Sequence, residues 1–176
     1  MLDMLLAAAL CAHAALADLT GIPTVPFTTS GDASYDAGQT VSVIVDRRYA
    51  NTTDTNGWTE IPPTLSDFAL TFAEDLGSFV DQPGNVELGE APSRASIFLT
   101  LDNSTDYQDA AGRWTSEAYT LQVEHDHVTI SGASPLGVWW GTRSLIQQMV
   151  LNNGSVSTGS GVDSPGWNTR GIFVSL

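Results

Sequence analysis

The stretch from Tyr119 to Val150, YTLQVEHDHVTISGASPLGVWWGTRSLIQQMV, constrains the fold more than any other part of this chain. Apolar and polar residues alternate through Ala118–Val123 and again through His127–Ser131. That alternation is the mark of half-buried strands. The three polar residues between them, Glu124-His125-Asp126, are short enough for a hairpin tip. A helix then opens at Ser134, a good N-cap, with Pro135 at the first helical position, where a missing N–H costs nothing. Leu136, Trp139, Trp140, Ile146, Met149 and Val150 are read as its apolar face, and Asn152-Asn153-Gly154 as its stop. A hairpin followed by a one-sided helix buries both apolar faces by laying the helix on the sheet.

The remaining pattern supplies more of the same layers. Val41, Val43 and Val45 mark a strand ending at Asp46, and Arg47 to Pro62 is turn-rich. Leu65, Phe68, Ala69, Phe72, Ala73, Leu76, Phe79 and Val80 fall on one helical stripe. Thr64 with Asp67 three residues on has the form of a capping box. Ser96–Leu101, SIFLTL, is the near-continuous apolar run of a central strand. Residues 18–39 read as an irregular lead-in, 81–93 as a break, and 155–166 as a Gly/Ser linker. The predicted order is β-α-β-β-β-α. It implies an α+β two-layer sandwich, a mostly antiparallel sheet with two helices on one face.

Composition narrows the functional classes. The chain has 176 residues, enough for one domain with a real core. It carries 20 acidic residues against 6 basic ones, all Arg, for a net charge of -14. Such a surface repels phosphate backbones and anionic lipid, so a nucleic-acid or membrane-surface role is not expected. It suits an extracellular, mildly acidic setting. Leu5–Leu16 is apolar, and Ala15-Leu16-Ala17 fits a secretory cleavage site before Asp18, although Asp3 sits where a positive charge is usual. A buried N-terminal helix is the alternative. Asn51, Asn103 and Asn153 each open an Asn-x-Ser/Thr sequon and are the expected glycosylation sites of an exported chain. The single cysteine, Cys11, leaves with the signal, so the mature chain depends on packing rather than on a disulfide.

Tyr119-Thr120-Leu121-Gln122-Val123, Val128-Thr129-Ile130, Ala133-Ser134-Pro135-Leu136-Gly137 and Gly141-Thr142-Arg143-Ser144-Leu145 resemble, in order and spacing, a pattern found in family 20 glycoside hydrolases. These are the β-N-acetylhexosaminidases. The pattern closes the small domain that precedes their catalytic barrel. The resemblance covers roughly residues 60–174 and is strongest over 118–150. It implies a signal at 1–17, an N-terminal α+β domain at 18–154, the linker at 155–166, and at 167–176 the first strand of a (β/α)8 barrel that stops short. It also implies a parent enzyme that removes terminal N-acetyl-hexosamine from chitin oligomers or glycans through that barrel, with no cofactor. Small domains of this kind also precede barrels in other glycosidases, such as α-glucuronidases.

The residues that would do the chemistry are not in this chain. The family uses an adjacent Asp-Glu pair, the Glu as general acid/base and the Asp orienting the substrate's own acetamido nucleophile. No Asp-Glu dipeptide occurs; Glu74-Asp75 has the reverse order and lies on the polar side of the first predicted helix. One substrate-binding position is implied. Trp167-Asn168-Thr169-Arg170-Gly171-Ile172-Phe173-Val174 resembles the opening of the first barrel strand, whose Arg grips sugar hydroxyls. Arg170 would take that role, and a guanidinium offers the fixed fork of donors it needs. Ser175 stands where the family has Asp. Read from this chain alone, Arg170 is an exposed residue near the chain end.

Other candidates read more plainly. His125 and His127 flank Asp126 and could share a face, but a metal site needs further ligands, and a hairpin tip accounts for them. Asp102-Asn103-Ser104-Thr105-Asp106 begins like a calcium loop, yet Tyr107 and Arg113 stand where Gly and Glu are required. Trp139 and Trp140 point about 100° apart on a helix and cannot form one flat platform. Trp58 and Trp114, in polar loops, are better placed to meet a sugar. They keep open a second reading, a stand-alone carbohydrate-binding or interaction module.

Overall fold

The structure is a computed structural model, and it describes residues 19, 21, 24–54, 60–103 and 107–166. Among these residues the chain forms seven strands and two helices: β1 (Thr28–Asp36), β2 (Val41–Asp46), α1 (Leu65–Phe79), β3 (Gly84–Gly89), β4 (Ser96–Leu101), β5 (Tyr119–Val123), β6 (His127–Gly132), α2 (Pro135–Leu151) and β7 (Ser155–Asp163). The strands make one sheet in the order β1-β7-β5-β6-β4-β2-β3. The α+β class and the two helices agree with the sequence reading. The proposed barrel strand at 167–176 lies outside the described residues.

The sheet is mixed, not mostly antiparallel. β1–β7, β7–β5 and β5–β6 pair antiparallel. β6–β4, β4–β2 and β2–β3 pair parallel. The parallel half has two causes. α1 carries the chain from β2 to β3 as a crossover helix, which brings the next strand back in the same direction. β3 and β4 then flank β2 and both run parallel to it, so residues 90–95 must return the length of a strand. A Cβ added at Gly89 would lie 2.5 Å from Ile44 Cγ2 and 3.6 Å from Ala91 O, so this return link begins against the outer face of β2.

Three strands fall where the sequence reading placed none. β1 lies inside the expected lead-in, β3 inside the expected break, and β7 replaces most of the expected linker at 155–166. All three are rich in Gly, Ser, Thr or Asn. Their apolar residues are too sparse to show period-two alternation. Pairing with stronger neighbours makes them strands. β7 lies between β1 and β5, and Val156 and Thr158 are buried there.

Both helices cover one face of the sheet. Val43 and Val45 of β2, Ile97 and Leu99 of β4, Val128 and Ile130 of β6, and Leu121 and Val123 of β5 belong to one core with the inner faces of α1 and α2. Thr64 caps α1 as expected: its hydroxyl accepts from the Asp67 N–H at 3.1 Å, and its own N–H donates to Asp67 Oδ2 at 2.9 Å. Leu65, Ala69, Phe72, Ala73 and Leu76 are buried. Phe79, expected in the stripe, is 63% exposed at the last turn.

α2 departs further from expectation. Its buried face runs through Gly137, Val138, Gly141, Leu145, Ile146 and Met149, while Trp140 and Val150 face outward. The glycines explain the rotation. A Cβ at Gly137 would lie 2.2 Å from Ala118 O. A Cβ at Gly141 would lie 2.5 Å from Ile130 Cγ2 and 3.0 Å from the Tyr119 ring. Without side chains at these positions, α2 packs backbone-close on the hairpin. Ser134 locks the entry: its hydroxyl accepts from the Leu136 N–H at 3.0 Å and donates to Ser116 O at 2.9 Å.

The opposite face has a polar pin. The Asp46 side chain is fully buried and accepts from Arg48 Nε at 3.0 Å, Arg48 Nη2 at 2.7 Å, the Arg48 N–H at 3.0 Å and the Thr100 hydroxyl at 2.6 Å. Burial opposes its charge, but the Arg48 and Thr100 hydrogen bonds outweigh burial and hold the carboxyl below its ordinary range.

Gly137→Ala should therefore lower stability by roughly 1–3 kcal/mol through overpacking against a backbone carbonyl, despite alanine's better helix propensity. Gly77→Ala in α1, where a Cβ meets only Pro83 at an ordinary 3.6 Å, should raise it by about 0.5–1 kcal/mol. Denaturant unfolding of the two variants reads this opposition directly.

Asp46 carries a pH signature. A folded-state pKa below the unfolded value gives stability that is present above the unfolded pKa and lost as pH falls through the folded one. Asp46→Asn should cost roughly 1.5–3 kcal/mol at neutral pH and less under acid, flattening the acid limb of the unfolding profile.

Candidate functional site

A concave site forms where α2 meets the end of β7. It is a cavity of about 430 Å3, walled by Trp140 and Arg143 on one side and by Asp163 and the following Ser164-Pro165-Gly166 on the other, with Glu117 at its edge. Its position follows from the close seating of α2. Glycines hold the helix against the hairpin, so the outward ridge through Trp140 and Arg143 stands beside the last residues of β7, and the space between them is the cavity.

A buried tyrosine links the walls. Tyr119 on β5 is 2% exposed. Its hydroxyl lies 2.6 Å from Ser144 Oγ on α2 and donates to Asp163 Oδ2 on β7 at 3.1 Å. Burial raises the Tyr119 pKa, and the Asp163 charge raises it further, so the phenol keeps its proton. Burial also raises the Asp163 pKa, against the lowering effect of the Tyr119 and Ser164 hydrogen bonds.

Arg143 faces two ways. Its Nη1 pairs with Asp75 Oδ2 on α1, and its guanidinium carbon lies 3.8 Å from the centre of the Trp139 ring. Trp139 in turn stacks on Phe68 of α1, with ring centres 5.1 Å apart. Arg143 Nη2 is enclosed with no acceptor among the described residues; the indole face is its neighbour instead. Trp139 is thus committed to the contact between the helices, and Trp140, 40% exposed, is the aromatic surface the site presents.

A larger cleft of about 620 Å3 lies at the other end of the sheet, lined by Ser34, Asp36, Arg94, His125 and Asp126 among others. No Trp, Tyr or Phe ring lines it. Asp36 accepts from the Gly38 N–H of its own turn at 2.9 Å, and His125 Nδ1 lies 3.2 Å from Ser34 O of β1, so the hairpin tip is tied to that strand. His127 turns away to Asp126, with Nδ1 2.7 Å from Oδ1. The two histidines therefore do not converge. Among the described residues, no three His, Cys, Asp or Glu side chains gather as a metal site would require.

Arg170 and Trp58 lie outside the described residues, so neither is placed relative to this cavity. Asn51, Asn103 and Asn153 are exposed on three separate loops, with Asn153 in the left-handed region at φ 53°. Trp114 is 53% exposed at the foot of a tight loop. That loop is fixed by Asp109, which accepts from Arg113 Nη2 at 2.7 Å and from the N–H groups of Ala111 and Arg113 at 2.9 Å each. The cavity itself went unread in the sequence. Asp163 falls in the expected linker, and Trp140 on the expected apolar face of α2.

The profile of glycosyl hydrolase family 20, domain 2, matches residues 21–163, and the chain belongs to that family. Among solved structures it is similar to a β-N-acetylhexosaminidase from Bacteroides fragilis NCTC 9343, at 13% identity and a TM-score of 0.50, over 81% of this chain and 24% of that one. It is also similar to the GH20 β-N-acetylhexosaminidase from Streptomyces coelicolor A3(2), at 17% identity and a TM-score of 0.47, over 80% of this chain and 25% of that one. The chain thus spans about a quarter of the length of these enzymes. No curated protein sequence matches it.

The Asp163 carboxyl gives the site a testable pH signature. An acid whose pKa is raised on folding binds its proton more tightly in the folded state, so stability falls as pH rises from the ordinary carboxyl range, about 4, through the raised value. Asp163→Asn, which keeps an acceptor for Tyr119, should melt higher than the parent near neutral pH. That gain should vanish below about pH 4. Thermal melts of both proteins across that range read the difference.

Proposed function

We propose that this chain is the N-terminal, non-catalytic domain of a secreted β-N-acetylhexosaminidase. The full-length enzyme would hydrolyse terminal N-acetyl-hexosamine residues from chitin oligomers or glycans. The observation that carries this reading is the family match over residues 21–163, in a chain that spans about a quarter of enzymes of that activity. The Bacteroides fragilis protein is a β-N-acetylhexosaminidase, and that activity comes to this chain through family membership. The apolar segment at 5–16 with its cleavage site and the three exposed sequons support export. Among the described residues, no helix is long and apolar enough to cross a membrane.

The residues of this domain act structurally in that enzyme. Four of its aspartates make a cap or ion pairs: Asp67 with Thr64, Asp46 with Arg48, Asp109 with Arg113 and Asp75 with Arg143. Glycan binding and bond cleavage are assigned to the barrel, with Arg170 gripping hydroxyls at its first strand. A second reading, a stand-alone carbohydrate-binding module, has the exposed Trp114 and Trp140 in its favour.

The intact, deglycosylated mass of the exported product in its native host separates the two. A mass several times that of residues 18–176, with turnover of an aryl N-acetyl-β-glucosaminide, is the expected result. The purified 176-residue chain should show no turnover of the same substrate. Turnover by that chain would overturn the assignment of all chemistry to the barrel, and a native mass matching residues 18–176 would favour the binding module.

A further inference from the structure

We propose that the Arg94–Ala95 bond, in the return link between β3 and β4, is a processing site for an arginine-specific endoprotease, and that the domain survives the cut as two interlocked fragments. The chain has six Arg and no Lys, so a protease that selects a basic side chain meets six bonds. Five of these arginines lie among the described residues.

The fold withholds four of the five. Arg47 and Arg48 are adjacent in the sequence but sit in a tight turn. The Arg47 N–H donates to Gly89 O at 2.8 Å, and the Tyr49 N–H donates to Asp46 O at 2.9 Å. Arg48 also pairs with the buried Asp46 carboxylate. Arg113 is held by Asp109 through Nε at 2.9 Å and Nη2 at 2.7 Å. Arg143 lies inside α2 and pairs with Asp75. An endoprotease reads an extended chain, so each of these bonds would first have to leave a turn, a pinned loop or a helix.

Arg94 has none of these restraints. Residues 90–95 are exposed without a break, and the Arg94 side chain makes no hydrogen bond or ion pair among the described residues. It lines the open cleft with Asp36 and Asp126 but pairs with neither. Few bonds hold the link. The Ala95 N–H donates to Asp126 O at 2.6 Å, the Ser93 N–H donates to Ser96 Oγ at 2.9 Å, and the Ser96 hydroxyl donates back to Ser93 O at 2.6 Å. The strand before the link is weakly anchored. β3 is an edge strand paired with β2 alone, it begins and ends in Gly, and its Leu88 is 51% exposed. Local opening of such an edge and its exposed link presents the bond in extended form while the core stays closed.

The cut itself is a simple hydrolysis. Water adds across the bond, leaving a carboxylate on Arg94 and an ammonium on Ala95. Ala95 sits in the left-handed region at φ 57°, which disfavours a residue with a Cβ, and cleavage removes that restraint. The rest of the domain is tied across the cut. β2 of the first fragment stays paired with β4 of the second, and β1 with β7. The helices are joined across it by the Asp75–Arg143 ion pair and the Phe68–Trp139 stack.

Limiting trypsin acting on the folded 176-residue chain tests this, with products read by intact mass and N-terminal sequencing. The first cut within residues 19–166 should follow Arg94 and give a fragment that begins at Ala95. The two fragments should elute together on gel filtration, keep the circular dichroism of the uncut chain and part only in denaturant. Arg94→Gln should lose its intact domain at least about tenfold more slowly. Arg94→Lys, which trypsin also accepts, should restore the cut.

A first cut after Arg47, Arg48, Arg113 or Arg143 overturns the proposal, as does the absence of any cut. Equal loss of the Arg94→Gln chain would overturn it too, because cleavage would then proceed from the globally unfolded state. So would separation of the fragments in native buffer. None of these outcomes touches the assignment of catalysis to the barrel, which the native mass and turnover measurements decide independently.

Discussion

The backbone-close contact of α2 with the β5–β6 hairpin is the constraint on which the rest of this domain depends. Gly132, Gly137 and Gly141 meet neighbouring atoms so closely that any added Cβ would fall within 2.2–2.5 Å of them. The contact fixes the height of the helix above the sheet and its rotation. Rotation decides which residues are buried, so Val138, Leu145 and Met149 point in while Trp140 points out. The same seating places Ser144 within 2.6 Å of the Tyr119 hydroxyl, and through Tyr119 it reaches Asp163 on β7. A helix lifted by one methyl group would break this chain of contacts and open the cavity differently.

The second helix contact builds on the first. Trp139 cannot enter the core once the glycine face occupies it, so it turns toward α1 and stacks on Phe68. Arg143, one turn on, lies over the same indole and reaches Asp75. The Thr142 hydroxyl donates to Trp139 O at 2.7 Å and receives Arg143 Nε at 3.2 Å. The two helices are thus tied by one aromatic stack and one partly buried ion pair. The far side of the sheet is closed by different means, a return link over β2 and the Asp46 pin, and neither α1 nor α2 covers it.

What was legible in the sequence follows from how each element is specified. β2, β4, the hairpin and α1 carry enough apolar residues to show their period, and Thr64 and Ser134 mark the helix starts by their own chemistry. β1, β3 and β7 exist because stronger strands pair with them, and isolated Gly-, Ser- and Thr-rich segments show no such partner. The mixed sheet was hidden for a related reason, since strand direction depends on a crossover helix and a return link that local pattern does not record. The buried face of α2 differs from its apolar stripe because glycine contributes nothing to such a stripe, yet here it marks the tightest contact. The cavity was illegible because its walls come from positions as far apart as Glu117, Trp140 and Asp163.

The residues that announced the family in the sequence turn out to be explained by packing. Gly137 and Gly141 permit close approach, Ser134 caps, Thr142 bonds back to its own helix, and Arg143 joins α2 to α1. None of these roles involves bond cleavage. The motif is therefore a signature of architecture, explained by how α2 sits on the hairpin and against α1.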